Sequence, residues 1–196
     1  EFYGSNIDLS LLKNYTSIQL SGTADFYGHL SGSINNPYLD LKLVAYDGQV
    51  MGQPYHDMRI SAAGSMDGVK IEKMTMQNET NEIIHSAQGT IGFTGEKQID
   101  LTINTKNARM ENIAEAFFPD QPITGNIDNQ VHLTGTVDNI RADGHVLFHE
   151  GSYRGVLLTS AEGSYTYASG KIILRNFVVK SPFADMNIDG SIIDNR

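Results

Sequence analysis

The 196 residues contain no cysteine and no tryptophan, and only five prolines. Without cysteine there are no disulfides, no thiol nucleophile and no thiolate metal site, and the redox compartment stays undecided. Positive charge is thin as well. Lys and Arg number 14 against 23 Asp and Glu, for a formal net charge of -9, and they form no cluster. A phosphate-backbone binder needs clustered cations, so the composition argues against a nucleic-acid backbone binder, and no nucleic-acid partner is expected. No run of about 18 apolar residues occurs, which leaves no helix able to cross a bilayer. Neither a secretory leader nor an initiator Met is visible. The chain reads as an internal fragment of a longer protein, with any anchor outside it.

What the chain has is alternation. From Ile18 to Ile34 every even position is apolar or Gly, and every odd position is polar or amphipathic. Strands usually run to about 5–6 residues, so this period of two is unusually long. Such a strand has one wet face and one apolar face, and small residues on the apolar face leave room for a cover. Further alternation predicts strands over 38–46, 54–66, 69–77, 82–93, 98–105 and 123–137, with the end of one over 1–7. Turns are expected at Asn35-Asn36-Pro37, Asp47-Gly48 and Asp67-Gly68. In 69–77 the phase slips at Lys73, which predicts a bulge. Two short helices are expected, at 8–15 with Asp8 as N-cap and at 109–118 ahead of Pro119.

The pattern is then used again. His29 to Asn36 (HLSGSINN) matches His132 to Asn139 (HLTGTVDN), 103 residues later. Gly22, Gly48 and Gly52 meet Gly125, Gly151 and Gly155 at the same offset, and Gln88-Gly89-Thr90-Ile91 meets Asp189-Gly190-Ser191-Ile192 with a small gap. The domain reading is two repeats, 1–104 (truncated at its start) and 105–196, each a short helix followed by five or six antiparallel strands. Units of this kind bury their faces by stacking on neighbours. Glycines inside periodic runs mark bends or close approach, as a sheet that curls requires. The fold class expected is all-β, a curved open antiparallel sheet with a short helix between repeats and its apolar residues inside one continuous trough.

Leu30-Ser31-Gly32-Ser33-Ile34-Asn35-Asn36-Pro37, followed by Leu39, Leu41 and Leu43, resembles the recurring unit of TamB-like proteins in the AsmA-like superfamily. Leu133-Thr134-Gly135-Thr136-Val137 repeats it, with Ile140-Arg141 in place of the Pro. The resemblance covers nearly the whole chain. It implies a periplasmic, taco-shaped β-groove in an inner-membrane-anchored envelope protein of a diderm bacterium. It further implies phospholipid movement between the two membranes, a part in outer-membrane biogenesis, and an outer-membrane β-barrel partner of the TamA or BamA kind. That partner would be met by parts of the protein outside this chain.

The candidate groove lining is Leu20, Ala24, Phe26, Leu30, Ile34, Leu39, Leu41, Leu43 and Ile71, repeated by Ile127, Val131, Leu133 and Val137. Taken alone, alternation fits the dry core of a sandwich better, since apolar faces usually pack on protein. The resemblance tilts the reading to a passive conduit for phospholipid acyl chains, each buried CH₂ gaining about 0.8 kcal/mol. The alternative is a structural or chaperone-like β-repeat with a dry core. A glycan-processing parallel β-helix predicts clustered carboxylates and shorter repeats, and neither is found. No catalytic residue, cofactor or metal site is expected. His145 and His149 are too far apart along a strand for one ion, and Asp185, Asp189 and Asp194 match no calcium loop. His29 and His132 are expected to face outward. Ile113, Phe117 and Phe118 of the second helix are candidates to rim the trough. Unpaired strand edges near 1–7 and 183–193 would favour edge-to-edge self-association.

Overall fold

The computed structural model describes residues 1–14, 19–112 and 122–193. The fold is all-β, an open antiparallel sheet whose thirteen strands run in chain order, one short strand lying off the main path. Glu1–Gln98 and Ile99–Arg196 form two compact units. The first holds β1 (Phe2–Asp8), a 3-10 helix (Leu9–Asn14), β2 (Leu20–Ser33), β3 (Asn36–Val50), β4 (Gln53–Ser65), β5 (Gly68–Gln77) and β6 (Ile83–Gly92). The second is built from β7 (Gln98–Arg109), β8 (Ile123–Thr136), β9 (Asn139–Tyr153), β10 (Val156–Leu158), β11 (Ser160–Ala168), β12 (Lys171–Lys180) and β13 (Asp185–Ile193).

The internal repeat is a repeat of structure. Leu20 and Ile123, Asn36 and Asn139, and Gly68 and Lys171 begin equivalent strands, each pair 103 residues apart. Hydrogen bonds repeat at the same offset. Gln49 N donates to Ser21 Oγ at 3.1 Å, and Ser152 N to Thr124 Oγ1 at 3.2 Å. Met51 N and Arg154 N donate to the carbonyls of Gln19 and Pro122, both at 2.9 Å. Each unit thus kinks its longest strand pair at one place, beside the positive-φ glycines Gly22 and Gly125. A second device recurs: Asn6, Asn107 and Asn176 take positive φ and donate their backbone N–H to Asp25, Asp128 and Asp189 on neighbouring strands, at 2.9, 2.7 and 2.8 Å. Each carboxylate satisfies the amide of a positive-φ residue, and at Asn6 and Asn176 the ladder shifts register there.

Several local expectations are corrected. Asp47-Gly48 is a kink inside β3, with Asp47 at φ 47, and the chain turns instead at Met51-Gly52. The reason is tertiary: the Gly48 backbone lies against Ser21 O, where no Cβ fits. The β2–β3 hairpin turns at Ile34-Asn35, ahead of the Asn35-Asn36-Pro37 signal, and the β4–β5 hairpin at Met66-Asp67, with Gly68 already in β5. The helix expected at 8–15 is a 3-10 helix over Leu9–Asn14, short enough for the tighter winding. Asp8 does cap it, accepting from Ser10 N at 2.8 Å. β3 and β7 run past their expected ends. The Lys73 bulge is present: Lys73 pairs with Ser61 and Ile71 with Ala62, leaving Glu72 as the extra residue. Residues 110–112 are helical, while Ile18, Ile113, Phe117, Phe118 and Asp194 lie outside the described residues.

Each unit has its own core. In the first, Leu9 of the 3-10 helix packs with Ala24, Ala45, Tyr55, Met58 and Met76. Ala24 and Ala45 are cross-strand partners, 1 % and 0 % exposed, and their small side chains let the helix come close to the sheet. In the second, Ala108, Ile127, Phe148, Ala161 and Val179 form the centre.

Candidate functional site

Cross-strand register decides which side chains share a face. In the first unit Ala24, Phe26 and Leu30 stand opposite Ala45, Leu43 and Leu39, and Leu43, Leu41 and Leu39 stand opposite Ile60, Ala62 and Gly64. Val69 and Ile71 continue the row, opposite Gly64 and Ala62. This one apolar face has two fates along its length. Near Ala24 it is closed by the 3-10 helix and the first core. Near Leu30, which is 58 % exposed, it is open.

The open end is a trough of about 350 Å³, lined by Leu30, Pro37, Leu39, Leu41, Ala62, Val69, Met66 and Phe93, with Ala63, Gly64, Ser65 and Gly68 completing it. Its size lies in the range of small-molecule sites. The only side chains there with polar groups are those of a single serine. Glycine shapes the trough: a Cβ on Gly64 would run into the backbone of Gly68 and Val69.

Of the expected lining, Leu30, Leu39 and Leu41 meet in the trough. Leu20 and Leu43 pack on the first core, and Ala24 is part of it. Phe26 makes an edge-to-face contact with Phe2, ring centroids 5.9 Å apart. Ile71 is half-buried on the same face. Ile34 is fully exposed at a hairpin tip, and Val137 sits in the matching turn of the second unit, so neither belongs to a strand face. Ile127 and Val131 are buried and Leu133 half-buried, opposite Ala142. Pro37, Met66, Val69 and Phe93 were not expected in the lining. Val69 had a signal, since it alternates with Ile71. Met66 and Phe93 keep the parity of Ala62 and Ile91 in the expected strands 54–66 and 82–93, and reach the trough from just beyond the ends of β4 and β6.

On the apolar side of β6, His85 stands opposite Met76. Burial pushes its imidazole below the usual 6.5. The folded chain therefore binds this proton less readily than the unfolded chain. The stability contribution is complete above the unfolded pKa and is lost as pH falls through the folded pKa. Lowering the pH below 6.5 is expected to lower the urea midpoint, and His85→Leu to flatten that slope. An unchanged slope in the variant would remove His85 from the account.

The polar face carries His–carboxylate and Arg–carboxylate contacts. His56, His132, His145 and His149 pair with Asp47, Asp100, Glu162 and Asp128 at 2.7, 2.7, 3.2 and 3.3 Å. Arg141 grips Asp143 with two hydrogen bonds and, with Thr166, holds that carboxyl below its usual range. Asn107 N–H does the same for Asp128, aided by His149. His29 and His132 are exposed, as expected. His145 and His149 face different carboxylates, and among the described residues no three metal-binding side chains converge. Ser164 Oγ lies 3.3 Å from His145 Nδ1, with Glu162 on the other ring nitrogen. The order resembles a hydrolytic triad. It lies on the exposed side of β11 between β9 and β12, where the ladder to β12 shifts register between Glu162 and Ser164.

The structure thus defines an all-β repeat whose first unit carries an open apolar trough. Comparison with family models, with curated proteins and with solved structures returns no match.

Proposed function

We propose that the chain binds apolar chains of lipids along the open end of its alternating face, as a passive, non-enzymatic conduit for phospholipid acyl chains. The observation that carries this reading is the uncovered trough at Leu30, Leu39 and Leu41, on the same face that the chain covers with its own helix at Ala24 and Ala45. A protein that needed only a dry core would gain by covering both ends. A trough with almost no polar lining suits a methylene chain and leaves a headgroup in water. The resemblance to TamB-like proteins supports the same reading. It suggests the periplasm of a diderm bacterium, a role in outer-membrane biogenesis, and a β-barrel partner met outside this chain. A passive path relaxes a gradient and sets no direction.

The test is extraction of the purified protein with organic solvent and mass spectrometry of the extract. Phospholipid at close to one molecule per chain is expected. Lipid-free protein that also takes up none from vesicles of phosphatidylethanolamine and phosphatidylglycerol would overturn the reading.

A further inference from the structure

Equivalent positions in the two units carry different side chains, and the differences are coordinated. Where the first unit has Phe26, Leu41 and Ala62, the second has Asn129, Gly144 and Tyr165, each 103 residues on. The register is the same in both: Leu41 stands opposite Ala62, and Gly144 opposite Tyr165. In the second unit the Tyr165 ring lies across β9 at Gly144, and a Cβ there would fall 2.6 Å from both Cε1 and the hydroxyl. The hydroxyl reaches Asn129 on the far side of β9. Asn129 Nδ2 donates to it at 3.2 Å, and it lies 3.3 Å from Asn129 Oδ1. An Asn on this apolar face has no use as lining, yet it has one as the partner of that hydroxyl. The exchange occurs a second time: Ile60 and Met74 are replaced by Gly163 and Phe177, whose ring lies over the glycine. Ala62 and Leu41 line the open trough.

We propose that Tyr165, latched by Asn129 over Gly144, occupies in the second unit the place left open in the first, and so decides which repeat accepts an apolar chain. This rests on the conduit reading for the first unit and adds that the two repeats differ in role. Tyr165 is then the specificity-determining residue of the second unit, and its Gly144 cradle exists because the ring must lie flat against the sheet.

The test uses the whole protein and a palmitic acid carrying a diazirine, with the labelled peptides mapped by mass spectrometry. In the parent protein, label is expected on the peptides of the first trough and not on 140–172. Tyr165→Ala should bring label in 140–172 up to the level of the first unit, and Tyr165→Phe should bring part of it. The reciprocal variant Phe26→Asn/Leu41→Gly/Ala62→Tyr should cut first-unit label about tenfold; it carries the test by itself should Tyr165→Ala not fold, as judged by circular dichroism. Equal label in both units of the parent, or no gain in folded Tyr165→Ala while the first unit is labelled, overturns the latch and leaves the conduit standing. No first-unit label in the parent overturns the conduit; label appearing in 140–172 of Tyr165→Ala then supports the latch by itself, and its absence overturns both.

Discussion

Replacing Leu30 and Leu39 together by Asp is expected to leave the protein folded and free of lipid. The two side chains are cross-strand partners on the floor of the trough; Leu30 is 58 % exposed and Leu39 half-buried. Folding is expected to survive at reduced stability, because the two carboxylates would stand directly opposite each other and repel. Binding is not, because an acyl chain laid over them would take two carboxylates out of water. Removing a carboxylate from water costs several kcal/mol, and about 3 kcal/mol is already more than a hundredfold in affinity. Extracted lipid should fall to background while the circular dichroism spectrum holds and the urea midpoint drops only modestly. Lipid retained at parental level would show that it sits elsewhere on the chain.

The largest effect on stability is expected at the kink of the longest strands. Gly48→Ala and Gly151→Ala each place a methyl group against a carbonyl of the facing strand, Ser21 O and Thr124 O. Those atoms are backbone in paired strands and have nowhere to go. Overpacking costs about 1–3 kcal/mol, and contact with fixed backbone belongs at or above the top of that range. Equivalent positions should respond alike. Gly190→Ala is the control: a Cβ there meets nothing within 4 Å, and the expected change is within about 0.5 kcal/mol. Urea unfolding of the three variants decides it. A neutral Gly48→Ala would mean that the kink is not held as described.

The strands, the bulge near Lys73 and the repeat were legible because each is written in local period. Even the offset of 103 in the text reappears in strand bounds and hydrogen bonds. Asp47-Gly48 misled for a physical reason: the dipeptide has turn chemistry, and only the approach of Ser21 turns it into a kink within a strand. The fate of the apolar face was equally out of reach. Alternation marks Ala24 and Leu30 as one face, yet whether Leu9 or water lies on it is settled by a helix several residues away in sequence. Ile34 and Val137 kept the right parity, and the chain turned one residue too early for them to count. The Tyr165 latch was invisible because it joins strands β8 and β11 across β9, and no pattern within one strand reports it.

The absence of native cysteine permits the most direct test of the central claim, that one face of β3 takes an apolar chain and the other does not. Leu39→Cys places a thiol in the trough, and Asp40→Cys places one on the exposed opposite face. Maleimide labelling of each is timed with and without oleic acid. The account predicts about tenfold protection at position 39 and less than about twofold at position 40, as saturating a site of matching affinity requires. Equal protection at both positions, or none at position 39, would contradict it.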